Sequence, residues 1–98
     1  MTPNPGPANT VMLIEDNPDH ALLIQTALED SPHVQGVRVI GDGEQALNYI
    51  QVETAAPSAT SLPGLVVLDL KLPKVDGLDI LRAIRASPVW QKIPVVVL

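Results

Sequence analysis

The chain has 98 residues, a formal net charge of -5 and 46% hydrophobic residues, with no cysteine and Tyr49 and Trp90 as its aromatic side chains. That length allows one small domain, and its apolar runs fall far short of the roughly 20 residues of a membrane-spanning helix. The missing thiols exclude disulfides and thiolate metal sites, while acidity and scarce aromatics argue against nucleic-acid backbone binding and base stacking and suit a divalent cation or a basic partner surface.

Residues 1–9 carry three prolines, a glycine and two asparagines. They lack the basic start and apolar core of a signal peptide. They are expected to form a disordered lead-in, and the protein to be cytoplasmic. Val11 to Ile14 predicts a buried strand that runs straight into Glu15-Asp16. Asp16 or Asn17 then caps a helix with Pro18 in its first turn. That helix is expected over Asp19 to Glu29, with Ala21, Ile24 and Leu28 on one apolar face thickened by Leu23 and Ala27. Ser31-Pro32 stops it.

Val37 to Ile40 predicts the second strand, Gly41-Asp42-Gly43 a turn, and Glu44 to Gln51 the second helix, facing inward through Ala46, Leu47 and Ile50. Glu53 to Gly64 has no periodicity and reads as a long loop or a frayed helix end. Leu65 to Leu68 predicts the third strand and ends at Asp69. Gly77 to Ala86 predicts the third helix, closed by Ser87-Pro88, and Pro94 to Leu98 the fourth strand. The order βαβαβαβ implies an α/β fold, a doubly wound parallel sheet with helices on both faces and right-handed crossovers.

Open sheets of this kind bind ligands at the carboxyl ends of their strands. Two strands ending in carboxylates therefore point to one shared pocket. Glu15, Asp16 and Asp69 are hard oxygen donors of the kind Mg2+ takes, with water and phosphate filling its remaining positions. Without an ion, neighbouring carboxylates repel and at least one of them is expected to hold its proton to higher pH. With an ion bound, a carboxylate oxygen of Asp69 is free to attack phosphorus and form an aspartyl-phosphate. The bland readings are a charged helix start for Glu15-Asp16, a loop cap for Asp69 and a turn residue for Asp42. His20 and His33 read as surface histidines, and Lys71 and Lys74 as solvated.

On these residues the chain resembles the receiver domain of two-component response regulators. Glu15-Asp16 matches the acidic pair after strand 1 and Asp69 the phosphoacceptor after strand 3. Leu72-Pro73 and Asp76-Gly77 match the loop motif that follows it, and Asp42 to Leu47 the start of helix 2. The resemblance covers residues 10–98. It implies a flavodoxin-like receiver fold of strand order 2-1-3-4-5, with strand 5 and helices 4 and 5 absent from this chain. It also implies an incomplete C-terminus, because the Ser/Thr after strand 4 and the lysine after strand 5 have no counterpart here.

By the same resemblance Asp69 accepts a phosphoryl group from a sensor histidine kinase or phosphotransfer protein. Glu15, Asp16, Asp69 and the backbone carbonyl of Lys71 hold Mg2+. The chain is then a phosphoacceptor rather than a turnover enzyme. The strand from Pro94 and the stretch before strand 3 are similar to small stand-alone receivers that partner phytochrome-like kinases. No direct nucleic-acid or membrane contact is expected, and a homodimer is among the assemblies to test.

Three rivals stay in view. Gly41 to Ala46 fits a dinucleotide-binding glycine turn, although Asp42 and Glu44 would sit beside a pyrophosphate. An aspartyl phosphatase commonly needs a second acid where this chain has Lys71. A degenerate or truncated receiver would act only as a protein-interaction module.

Overall fold

The computed structural model describes residues 9–56, 62–72 and 75–98. Its elements are β1 (Thr10–Ile14), α1 (Pro18–Glu29), β2 (Gly36–Ile40), α2 (Gly43–Ala55), β3 (Leu65–Leu68), α3 (Gly77–Ala86) and β4 (Val95–Val97). All strand pairs are parallel, in the order β2-β1-β3-β4. This is the flavodoxin-like arrangement expected from the sequence, four strands wide among the described residues. Residues 1–8 of the expected lead-in lie outside the described residues. Asn9 is already tied down, since its carbonyl accepts the Gln35 N–H at 2.8 Å.

Alternation along the strands divides the core in two. Met12, Ile14, Ile40, Val66 and Leu68 face α2 and α3 and pack with Ala46, Ile50, Ile80, Ile84 and Trp90. Val11, Leu13 and Val67 face the other way and pack with Ala21, Ile24 and Leu28 of α1. The central strands β1 and β3 are buried on both faces, which is why they read as unbroken apolar runs.

Three sequence expectations are corrected. The inward face of α1 is narrower than expected: Ala21 is buried and Ile24 and Leu28 half-buried, but Leu23 and Ala27 are exposed, Leu23 by 70%. A single helix touches a sheet along one stripe, and Leu23 lies about 100° around the helix from Ile24. Helix α2 runs on to Ala55 instead of stopping at Gln51. Its last turn is held by tertiary contact, with Thr54 Oγ1 donating to the Ile50 carbonyl at 2.7 Å and sharing a 2.7 Å hydrogen bond with Ser87 Oγ. Finally, β4 proper is three residues long, although the Pro94 carbonyl and the Leu98 N–H extend its ladder at both ends.

Ser87 also ends α3 as expected. Its Oγ accepts the Val89 and Trp90 N–H groups, both at 3.2 Å, and turns the chain toward β4. Residues 57–61 of the long loop, together with Pro73 and Lys74, lie outside the described residues.

Candidate functional site

The site is assembled by the sheet's hydrogen bonding beyond the strands proper. Ile14 is in register with Ile40 on one side and Leu68 on the other. The ladder continues one step, with Glu15 N donating to Ile40 O at 3.1 Å and Asp69 N to Ile14 O at 3.0 Å. Two strand exits are thereby locked side by side. Carboxylate oxygens of Glu15, Asp16 and Asp69 lie within 4.8 Å of one another. The expected gathering of these three acids is met. Glu15 is buried, Asp69 half-buried and Asp16 exposed.

Each acid is held differently. Glu15 Oε2 accepts the Asn17 N–H at 3.2 Å. Burial pushes the Glu15 carboxyl above its ordinary value. The Asn17 bond opposes this, while a hydrogen bond shared with Asp69 and the charge of Asp69 add to it. One acid therefore holds its proton to higher pH than an ordinary carboxyl, as expected, with desolvation rather than repulsion as the leading cause. Asp69 Oδ1 accepts the Lys71 N–H at 2.9 Å, which fixes the plane of the carboxylate. Lys71 itself is exposed at the pocket rim.

The loops around the acids are set by caps and one close approach. Asn17 rather than Asp16 caps α1, its Oδ1 accepting from Asp19 N at 2.9 Å and His20 N at 3.2 Å. Asp16 is left free of the cap and faces the other two acids. Asp76 caps α3 through Leu78 N at 3.0 Å. A Cβ on Gly77 would lie 2.5 Å from Leu70 Cα and 2.9 Å from the Asp69 carbonyl, so only glycine lets α3 start against the Asp69 turn. Asp42, read as a turn residue, caps α2 by accepting the Glu44 N–H at 2.7 Å and takes no part in the acid cluster.

A cavity of about 360 Å3 opens over the acids, bordered by Glu15, His20, Leu23, Ile24, Asp69, Lys71 and Leu98. Four of these, His20, Leu23, Ile24 and Leu98, were not expected at the site, Leu23 and Ile24 being expected on the core face of α1. His20 is an exposed helix residue, as expected, yet it borders the cavity and its charge favours the ionised form of Glu15. Its place four residues beyond Asp16, one turn into the capped helix, is the signal that could have found it. Leu98 arrives through β4, its N–H donating to Leu68 O at 2.9 Å beside Asp69.

Hard oxygen donors, one of them nearly dry, fit a divalent cation. Among the described residues no helix is long and apolar enough to cross a membrane. The profile of the response regulator receiver domain family matches residues 11–98. The probable methanogenesis regulatory protein FilR2 of Methanothrix harundinacea is 42% identical over 88 residues, covering 90% of this chain and 56% of that protein. Response regulator Rcp1 of Synechocystis sp. is 33% identical over 98 residues, 100% of this chain and 66% of that protein. The crystal structure of its Mn(2+)-bound form aligns with a TM-score of 0.78 at 32% identity, over 91% of this chain and 63% of that one. The phosphorylated cyanobacterial phytochrome response regulator RcpA aligns with a TM-score of 0.78 at 38% identity, over 91% and 63%. The chain thus spans between 56% and 66% of the length of these relatives.

Proposed function

The chain belongs to the response regulator receiver domain family, and from that membership we propose that Asp69 takes a phosphoryl group from a phosphohistidine on a sensor histidine kinase or phosphotransfer protein. The observation that carries this reading is the convergence of Glu15, Asp16 and Asp69 within 4.8 Å at the exits of two adjacent strands. Mg2+ is the proposed cation, held by those three carboxylates and the Lys71 backbone carbonyl. When bound, it neutralises charge on the carboxylates and on the incoming phosphoryl oxygens.

The chain's own residues do the rest. The Lys71 N–H on Oδ1 holds the Asp69 carboxylate in one orientation. An Asp69 oxygen then attacks phosphorus in line with the bond to the donor imidazole. The P–O bond forms as the P–N bond breaks, and the imidazole leaves with the electron pair. Leu23, Ile24 and Leu98 form the apolar side of the cavity in which the acyl phosphate would sit. The group is taken up and later lost to water, so Asp69 acts as an acceptor rather than as a turnover catalyst. Similarity to RcpA and Rcp1 supports a kinase of the phytochrome-linked kind as donor. Self-association and the absence of nucleic-acid contacts belong to the same proposal.

Intact-mass measurement tests the assignment. With a small acyl-phosphate donor and Mg2+, the chain should gain one phosphoryl group and Asp69→Asn none. Chelator should abolish the gain. Labelling of Asp69→Asn at the same stoichiometry overturns the reading.

A further inference from the structure

The α2 face of the sheet is incompletely covered at its β2 edge. Arg38 and Ile40 lie on that face, as do Met12 and Ile14, their register partners on β1. Helix α2 walls the gap with Gln45, Asn48, Tyr49 and Val52, positions i, i+3, i+4 and i+7 of one helical stripe. The resulting cleft holds about 390 Å3 and shares no lining residue with the acid pocket.

One cation dominates it. The Arg38 guanidinium carbon sits 4.5 Å from the centroid of the Tyr49 ring, a cation–π distance. Tyr49 in turn meets Trp90 edge-to-face, with centroids 5.6 Å apart and planes at 78°. Trp90 is fully buried, so the cation rests on a stack rooted in the core. In a chain with 11 acids, no carboxylate among the described residues lies within ion-pair distance of Arg38. Among the described residues β2 is also an outer strand, so alternate backbone N–H and C=O groups point away from the sheet.

We propose that this edge binds an extended acidic peptide, which adds to β2 as a further strand and places a carboxylate on the Arg38 guanidinium. Arg38 and Ile40 are two residues apart on one face. A neighbouring strand matches them with an acid at one position and an apolar side chain two residues on. The open edge favours a peptide over a free anion, because strand addition satisfies the outward backbone groups. The other outer strand, β4, is all valine and offers no such cation. This binding is independent of phosphoryl transfer and of Asp69.

The test is a titration of the whole chain with the blocked peptide acetyl-Thr-Glu-Thr-Val-Thr-amide, followed by Trp90 emission and by residue-resolved amide exchange. Saturable binding with exchange slowed at alternate β2 amides is expected. Arg38→Gln, or glutamine in place of the peptide's glutamate, should each weaken binding about tenfold, the worth of one charge-assisted hydrogen bond. Arg38 is exposed, so its variant should keep the native circular dichroism spectrum. Unchanged affinity in Arg38→Gln, protection at β4 instead of β2, equal competition by acetate, or no binding at millimolar peptide each overturns the proposal.

Discussion

Glu15 is the residue on which the acid pocket's electrostatics turn. Its folded carboxyl titrates above the ordinary value of 4.5, with burial the leading cause. Between those two values the native state binds more protons than the unfolded chain, so stability falls as pH rises through that window. In chelator, the melting temperature should therefore decline from pH 4.5 upward, and Glu15→Gln should flatten the decline. Added Mg2+ should recover stability most at the high end of that range, where Glu15 is ionised. Thermal melts across pH, with and without the ion, check both statements. Gly77 shows the complementary constraint, one of space. A methyl there meets the backbone of Asp69 and Leu70, and Gly77→Ala should destabilise by about 1–3 kcal/mol, the usual range for overpacking. The same variant should weaken cation capture more than its stability loss predicts, because the Asp69 turn must shift. Denaturant melts and Mg2+ titration separate the two effects.

Among the elements, β1, β3 and α3 were legible from residues alone. Four apolar residues closed by an acid mark each of the two strands, and Gly77 to Ala86 is bounded by the Asp76 cap and Ser87-Pro88. The end of α2 was not legible. Its last inward position is Glu53, a buried acid that breaks the apolar period, and its last turn leans on Ser87 across the fold. The apolar face of α1 was drawn too wide because Leu23 and Ala27 are as apolar as core residues yet lie exposed, Leu23 by 70%. For the site, Glu15, Asp16 and Asp69 could be named from strand ends, since parallel register needs only adjacency of β1 and β3. Leu98 could not, because it enters only once β4 has paired. The cap that starts α1 makes a further expectation at this scale. Asn17 Oδ1 satisfies two amides, and Asn17→Ala should cost about 1 kcal/mol. Because Asn17 N also donates to Glu15, helix start and pocket are joined at one residue, and urea melts of the variant measure the loss.

Across the whole molecule, two opposite edges of one four-stranded sheet differ in chemistry. The β2 edge carries Arg38 and the cleft beside it. The β4 edge is apolar, with Val96, Val97 and Leu98 exposed by 47%, 42% and 54%. An open, uncharged strand edge is a template for pairing with another chain. The polypeptide of residues 1–98 should therefore self-associate with rising concentration, and Val96→Lys should suppress this with little effect on the fold. Sedimentation velocity over a concentration series checks the direction. Between those edges, three backbone hydrogen bonds, Glu15 to Ile40, Asp69 to Ile14 and Leu98 to Leu68, deliver successive strand exits in one row. Sliding β3 by a single position would send the Asp69 side chain to the opposite face. Misthreaded molecules therefore lose the acid trio altogether, and the fraction of a preparation able to capture the ion becomes a headcount of correctly aligned sheets.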